Sequence, residues 1–510
     1  MDNTRITKVY LLNVPLESDY KHTLYFNSES GQHSYFESKV VKSYTTFSYQ
    51  RKDNIIRIPD HFDDVLKCNY VMYQNTAYSN KWFYAFIKDI KYISDGRTDI
   101  EIETDVIQTW MFDYTVKPSF VEREHVDNDT IGVNTYPESL ETGEYICNTH
   151  TVDDSLGETN VVISFSDSHL KQYDNVGIIF DGIYNPMGYY AYPKSAIGSL
   201  NELITKYDEA GKGDAICSVF MAPEFVTGKL DGAVCLAPRN TPTSKDKSVS
   251  KISTLNGYTP RNKKLLTYPF CYLLVDNNAG ATAVYKQELF SNASNTFKLY
   301  GALSPGCSIR LIPTNYNGIA ENDSEGINLG KYAVCAWIND VYTNWVTQNS
   351  VNLAVSYTSG LASLIGGVAT KSVGGVVSGA LSIGDTIGQQ YAQKLQPDQA
   401  RGNTNCGDVM TGTGKNAFNF YNMSIKKEYA EIIDGYFDMF GYKVCKVKQP
   451  NIHHRSRYWY TKTIDVNIDG AIPNKDMQRI KDCYNNGITF WRNANEIQDY
   501  SLSNEIKNIV

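Results

Sequence analysis

Short runs in which apolar and polar residues alternate, broken by Asn, Ser, Gly and Pro, fill most of the chain and predict strands. TKVYLLNV at 7–14 starts the first, and Pro15 ends it. Several short strands follow between residues 19 and 59, then NYVMYQN at 69–75 and KWFYAFIKDIKYI at 81–93, whose Trp82, Tyr84 and Phe86 share one face. Asp95-Gly96 predicts a hairpin turn into the most regular strand of the sequence. There Asp99, Glu101, Glu103 and Asp105 alternate with Ile100, Ile102, Thr104 and Val106, so one face packs while the other presents four carboxylates. From 106 to 145 the pattern loosens, and Arg123, Glu124 and His125 read as a charged strap across a domain joint. Strands around residues 159–166, 175–184 and 216–225 flank a helix within 192–214 that stops near Gly211 or Gly213, and residues 244–248 read as an exposed loop. Tyrosine-rich strands recur in 257–290 and 308–318. Toward the C-terminus, 426–444 is predicted helical to Gly441, with Tyr429, Ile432, Ile433, Tyr436 and Phe440 at helical spacing. Residues 451–465 return to strand, and 474–493 open as a helix capped by Asn474 and closed at Asn486-Gly487 before a short strand.

One stretch abandons alternation. Val341 to Thr370 contains no Asp, Glu, Lys or Arg, and after Lys371 the chain is again uncharged from Ser372 to Gly384. That length suffices to cross hydrocarbon, which takes roughly 20 apolar helical residues. Leu361, Ile365, Val368, Val376, Ile383 and Ile387 recur at helical spacings or twice that, and Leu364, Val373, Val377 and Leu381 add apolar surface. Gly375/Gly379 and Gly384/Gly388 form small-xxx-small pairs that let helices approach closely. A buried core hairpin is the plainer account of such a block. Each helical glycine costs roughly 1 kcal/mol relative to Ala, however, which suits a segment sheltered in one state and exposed in another. Trp337, Tyr342 and Trp345 just before it fit a bilayer interface or a packed rim equally.

Composition narrows the classes. At 510 residues the chain exceeds one compact core, and 38 Tyr with frequent short alternating runs indicate a mainly β, multi-domain protein with some helix. A formal charge of −8 with 48 Lys plus Arg argues against a general nucleic-acid binder, though not against a tube that DNA passes through without sticking. The ten Cys lie far apart with no CxxC pair, so dispersed buried thiols are expected rather than a zinc framework. The opening MDNTRITKVYLLNVPL lacks the pattern of a signal peptide, which predicts folding in a reducing cytosol. No catalytic constellation emerges. Gly412 to Lys415 departs from a phosphate loop at Val409 and Asn416, and the neighbours His453 and His454 point to opposite faces of a strand. No metal, cofactor or catalytic residue is assigned.

The segments at 105–145, GYTPRNKKLLTYPFCYLLVDNN at 257–278, FDMFGYKV at 437–444 with NIHHRSRYWYTKT at 451–463, and IKDCYNNGITFW at 480–491 together resemble the tail knob, or distal tail tube, proteins of small short-tailed bacteriophages infecting Gram-positive hosts. The resemblance implies β-barrel or tube-forming lobes assembled into a homohexameric ring at the distal end of a virion tail. It also implies long hydrophobic loops, helical or irregular, that plug the lumen and penetrate the host cytoplasmic membrane during genome ejection. On this chain it places an N-terminal tube domain at 1–135, an outer lobe at 136–255, a second β-rich domain at 256–344, the plug at 345–415 and a C-terminal α/β segment at 416–510. Implied partners are further copies of the chain, the proximal tail tube or collar protein, transiting DNA without sequence specificity, and membrane lipids. The carboxylate face at Asp99, Glu101, Glu103 and Asp105 would then line the lumen and repel phosphate. A tail appendage that binds host cell-wall glycan through its aromatic residues, without membrane activity, is the alternative. An unmarked hydrolase is a third class, since paired acids need only meet in space.

Overall fold

The computed structural model describes residues 6–50, 52–165, 178–180, 183–185, 188–210, 216–232, 234–236, 242–304, 307–329, 332, 334–336, 416–451 and 453–507. The chain forms two units, Met1–Glu141 with Arg261–Lys264 and Glu431–Val510, and Thr142–Pro260 with Leu265–Ala430. Both are mixed β/α. The apolar block and the rest of 345–415 lie outside the described residues.

The first unit opens with β1 (Ile6–Leu12), β2 (His22–Leu24), α1 (Glu29–Glu37), β3 (Val40–Tyr44), β4 (Ser48–Gln50), β5 (Ile55–Ile58), α2 (Phe62–Val65), β6 (Tyr70–Asn75), β7 (Lys81–Ser94), β8 (Arg97–Thr104), α3 (Val106–Trp110), β9 (Tyr114–Val116) and β10 (Ser119–Glu124). Seven of these strands make one sheet in the order β3-β1-β6-β7-β8-β5-β4. The two edge strands, β3 and β4, are consecutive in the chain, joined only through Thr45, Thr46 and Phe47. Four Cα steps span at most about 15 Å, whereas six flat strand spacings cover about 29 Å. The sheet must therefore curl toward itself, and it forms a half-barrel.

Both faces of this sheet are buried. Along β6 and β7, Val71, Tyr73, Phe83 and Ala85 enter one cluster with Ile100, Ile102 and Trp110, while Tyr70, Met72, Tyr84 and Phe86 enter another with Leu12 and Phe36 of α1. Trp82, Tyr84 and Phe86 do share a face, as their spacing predicts. The helix Asn474–Asn486 contributes Ile480, Cys483 and Tyr484 to the first cluster. It begins after Pro473, with Asn474 inside the first turn rather than at the cap, and it stops at Gly487 as expected.

A five-stranded sheet places β2, Ile488–Trp491, Tyr458–Ile464, β10 and Tyr442–Lys448 side by side. Arg123 and Glu124 belong to its β10, so the expected charged strap is a buried strand interior instead. Glu124 is wholly buried and accepts from Lys448 Nζ at 2.5 Å and Asn451 N at 2.7 Å. Arg123 donates to Gly441 O at 2.6 Å and to Glu138, which also takes Lys264 Nζ at 2.5 Å. The helix Lys427–Phe440 ends at Gly441, φ +64°, where a Cβ would collide with the Glu124 carbonyl, so only glycine fits.

Residues Arg261–Lys264 are held in this unit by carboxylates. Asp434, fully buried, accepts from Arg261 N at 2.7 Å, Asn262 N at 3.0 Å and Asn262 Nδ2 at 2.9 Å. Asp129 takes Lys263 N at 3.0 Å, and Asp438 takes Asn262 Nδ2 at 2.7 Å and pairs with Arg261.

Among the described residues the second unit contains three larger sheets. One orders Tyr145–Asp153, Phe418–Ile425, Cys271–Asp276 and Thr282–Tyr285; another orders Val234–Leu236, Gly188–Pro193, Thr159–Phe165, Ile216–Pro223 and Val334–Ala336. The predicted helix is Ile197–Glu209, packing Leu200, Leu203 and Tyr207 on Phe165, Tyr190 and Tyr192. The third sheet starts with Thr243–Ser250, which pairs with Ser294–Ala302, so the expected loop at 244–248 is an edge strand. Its run of Ser, Lys and Asp is the charged surface that protects an edge from further pairing. Of the described cysteines, Cys68, Cys271, Cys307 and Cys483 are buried free thiols, and Cys147 is exposed.

Asp434→Ala takes the acceptor from the Arg261 and Asn262 backbone amides and one of the acceptors from Asn262 Nδ2, which should cost about 3–5 kcal/mol. Asp434→Asn keeps one acceptor oxygen and should lose less. Urea unfolding followed by tryptophan fluorescence reads this, since Trp82, Trp110, Trp459 and Trp491 all sit in the first unit. Equal midpoints for wild type and Asp434→Ala would show that the carboxylate does not hold the segment.

Candidate functional site

The sequence singles out the strand after Asp95-Gly96, and the structure makes it one arm of the hairpin β7–β8. Gly96 takes φ +78° at the turn. Ser94 faces Arg97, Lys91 faces Asp99, Asp89 faces Glu101 and Phe86 faces Glu103, with bulges after Ile87 and Tyr92.

The four acidic residues do not form a bare wall. Asp99 lies opposite Arg57 of β5 and accepts from its Nε and Nη2 at 2.6 and 2.7 Å. Only 6% of Asp99 is exposed, and the Arg57 guanidinium holds its carboxyl below the usual carboxylate range. Glu101 pairs with Lys91 at 2.7 Å. Glu103 bridges Lys88 and Arg479, each at 2.6 Å, and Arg479 also donates to Thr104 O at 3.1 Å. Asp105 has left the strand altogether. It caps α3, accepting from Ile107 N at 3.1 Å and Gln108 N at 3.0 Å, and receives the Tyr70 hydroxyl at 2.8 Å. It is 1% exposed, and burial pushes its pKa up to about 6 against those hydrogen bonds. Counting Asp89 beside Lys91, four anions (Asp89, Asp99, Glu101, Glu103) meet four cations (Arg57, Lys88, Lys91, Arg479), so the network is neutral. Within this chain Asp99 and Asp105 are buried, and Asp99, Glu101 and Glu103 each carry a counter-charge.

Beside this network opens a cleft of about 1060 Å³. Phe47, Tyr49, Tyr73, Tyr78, Phe83 and Trp110 line it, with Glu101, Glu103 and Arg479 at its rim. Sequence reasoning missed it, because the rings come from β4, β6, the turn after β6, β7 and α3. The one local signal was alternation: Tyr73 and Phe83 lie on the face opposite Tyr84 and Phe86.

The ten apolar residues Leu361, Leu364, Ile365, Val368, Val373, Val376, Val377, Leu381, Ile383 and Ile387, and Gly375, Gly379, Gly384 and Gly388, lie outside the described residues. Among the described residues no helix is long and apolar enough to cross a membrane, and no group of three His, Cys, Asp or Glu could hold a metal ion. His125 is fixed by the backbone, with Tyr460 N at 2.7 Å and Asp438 O at 2.9 Å, and burial lowers its pKa to about 3.

Asp105 supplies a pH test. Its folded pKa lies above the ordinary carboxylate value, so its protonation favours the folded state, fully below about pH 4 and no longer above about pH 6. Asp105→Asn keeps a cap oxygen but cannot titrate. The stability of wild type relative to Asp105→Asn should fall by up to about 3 kcal/mol as pH rises through that window. Parallel pH profiles for the two proteins would contradict the burial argument.

Comparison with known proteins places these features. Residues 236–505 match the family model described as Bacillus phage phi29, Tail knob protein gp9, C-terminal domain. Residues 4–115, which contain the half-barrel, match one described as Caudoviral major tail protein N-terminus. The tail knob protein gp9 of Bacillus phage PZA is 28% identical over 98% of this chain and 98% of its own. That of Bacillus phage phi29 is 27% identical over the same shares. The bacteriophage C1 tail knob protein, gp12, superposes with a TM-score of 0.63 at 17% identity, covering 98% of this chain and 100% of that one, a likeness of fold. The family match extends over more than half of the chain, and its relatives are named structural virion parts rather than enzymes: the chain belongs to the gp9-like tail knob proteins of small short-tailed phages infecting Gram-positive hosts.

Proposed function

We propose that this structural tail protein assembles into a closed ring, six copies by family resemblance, whose lumen conducts the genome out of the virion. The apolar block closes the lumen and, once released, enters the host cytoplasmic membrane. The observation that carries this reading is the uncharged run from Val341 to Thr370, resumed from Ser372 to Gly384, inside a chain of the tail knob family. A segment of that length and apolarity in free solution would exceed the few hundred square ångströms of contiguous apolar surface usual for soluble monomers. A ring supplies a shelter for it, and lipid supplies the second environment. Within lipid every backbone group must bond inside the segment, which favours helical hairpins, with Lys371 and Asp385 at a turn, an interface or a wet lumen. Gly375/Gly379 and Gly384/Gly388 then let several copies pack around an opening.

The conduit does not depend on an acidic wall. The net charge of −8 and the pairing of cations around β7–β8 both keep DNA from sticking, because affinity for phosphate comes from uncompensated Lys and Arg. The ring would join the proximal tail tube or collar protein at one end and meet the host at the other.

Two measurements test this. Sedimentation at micromolar concentration should show a cyclic oligomer, and a stable soluble monomer would contradict the sheltering ring. Dye release from liposomes, scanned from acidic to neutral pH, should occur with wild type and vanish with the double substitution Ile365→Asp and Val376→Asp, since each centrally placed acid costs about 3 kcal/mol to insert. Equal leakage from wild type and the double variant, or none from wild type, would reduce the block to packing.

A further inference from the structure

The cleft beside the β7–β8 network is unexplained by a conduit or a plug. Its floor is a continuous aromatic wall. Tyr49 and Tyr73 have ring centroids 6.0 Å apart, Tyr73 and Phe83 stack at 5.5 Å, and Tyr78 meets Phe83 at 5.2 Å and Trp110 at 6.0 Å edge to face. Tyr73, Phe83 and Trp110 are buried, so they fix the wall. Tyr49 is half-buried and Tyr78 is 36% exposed, so these two offer their rings to the opening. The Trp110 indole N–H is committed to Asp476 Oδ2 at 2.9 Å, which locks that ring in place.

The rim decides the class of ligand. Lys88, Lys475 and Arg479 stand against Glu101, Glu103 and Asp476, three charges of each sign. Glu103 already holds both Lys88 and Arg479. A phosphate polymer or nucleic acid would find no surplus of positive charge here, and an anionic peptide would find none either. Asn54 and Asn75 add amides at the same opening. A fitting ligand is neutral, has flat apolar faces to lie on rings, and carries donors and acceptors around its edge for carboxylates and amides. A pyranose has those properties. The volume of about 1060 Å³ reaches the upper end of small-ligand sites, so the cleft has room for more than one sugar.

We propose that this cleft is a binding site for a neutral oligosaccharide, with Tyr49 and Tyr78 as the stacking platforms and Glu101, Asp476 and the neighbouring amides as the hydroxyl-binding rim. The site goes beyond the conduit reading and stands on the first unit alone. A tail protein of a phage that meets a Gram-positive wall encounters polysaccharide before it encounters lipid, which gives such a site a use on the outer approach.

The test is calorimetric titration of the full-length protein with N-acetylglucosamine tetrasaccharide and with maltotetraose, and a glycerol-phosphate polymer as the charged control. At least one neutral sugar should bind saturably, and Tyr49→Ala and Tyr78→Ala should each weaken it about tenfold, while Tyr78→Phe stays within about twofold. Tyr78 is partly exposed, so its substitution spares the core, and unchanged melting curves confirm that each variant is folded. Neither sugar binding at up to about 10 mM, or binding that both alanine variants retain in full, would overturn the proposal. So would a preference for the glycerol-phosphate polymer. Radical footprinting adds another arm: if Tyr49 and Tyr78 are protected on oligomerisation without sugar, a second copy fills the cleft and the proposal fails. Dye release by Tyr49→Ala and Tyr78→Ala should match wild type, so loss of sugar binding and loss of membrane activity report on separate readings.

Discussion

The tether between β3 and β4 constrains the first unit more than any single contact. Thr45, Thr46 and Phe47 are too few to reach across seven flat strands, so the two edges of the sheet must come round toward each other. Curling gives the sheet an inner and an outer face, and helices occupy both: Phe36 of α1 on one side, and Ile480, Cys483 and Tyr484 of Asn474–Asn486 on the other. Once both faces are covered, polar groups on the central strands must be paired or leave the strand. Asp99 takes Arg57, and Asp105 turns into the cap of α3 with Tyr70 as its third donor. The aromatic cleft is one opening left at this sheet, lined by Phe47 of the tether itself and Tyr49 of the edge strand.

Buried carboxylates do the corresponding work in the rest of the unit. Glu138 sits between Arg123 and Lys264, Glu124 is tied to Lys448, and Asp434 binds two backbone amides and an amide side chain. Taking such charges out of water is unfavourable unless every lone pair is met, so the net gain in stability is small while the cost of removing one partner is large. The effect is to fix position. Residues Arg261–Lys264 have one register in which Asp434, Asp129 and Glu138 are all satisfied, and a shift by one residue would orphan several of them.

What could be read from sequence follows the range of the interactions involved. The β7–β8 hairpin was legible because Asp95-Gly96 is a local turn signal, and the stops at Gly441 and Gly487 because a helix end depends on its own last turn. The carboxylate face was half legible: alternation located Glu101 and Glu103, but nothing near Asp105 reveals that Tyr70, thirty-five positions away, waits to cap it from the other side. Arg123, Glu124 and His125 looked like a strap because their partners, Gly441, Glu138, Lys448 and Tyr460, are distant in the chain. Residues 244–248 looked like a loop because an edge strand can be as charged as a loop when one side of it faces water. The family itself was legible from separated motifs, all but the one at 105–145 lying within the match over 236–505.

Charge balance links the two proposed activities. A conduit has to let a polyanion pass without holding it, and a saccharide cleft has to stay unoccupied by that same polyanion. The pairs around β7–β8 suit both demands, since Lys88 and Arg479 are engaged by Glu103 and Lys91 by Glu101. Removing the acids from this network would not merely neutralise it. It would uncover the cations and convert the rim into a phosphate-binding surface. Of the acidic residues that the sequence brings forward, Asp99, Glu101 and Glu103 each silence a positive charge, while Asp105 serves as a helix cap.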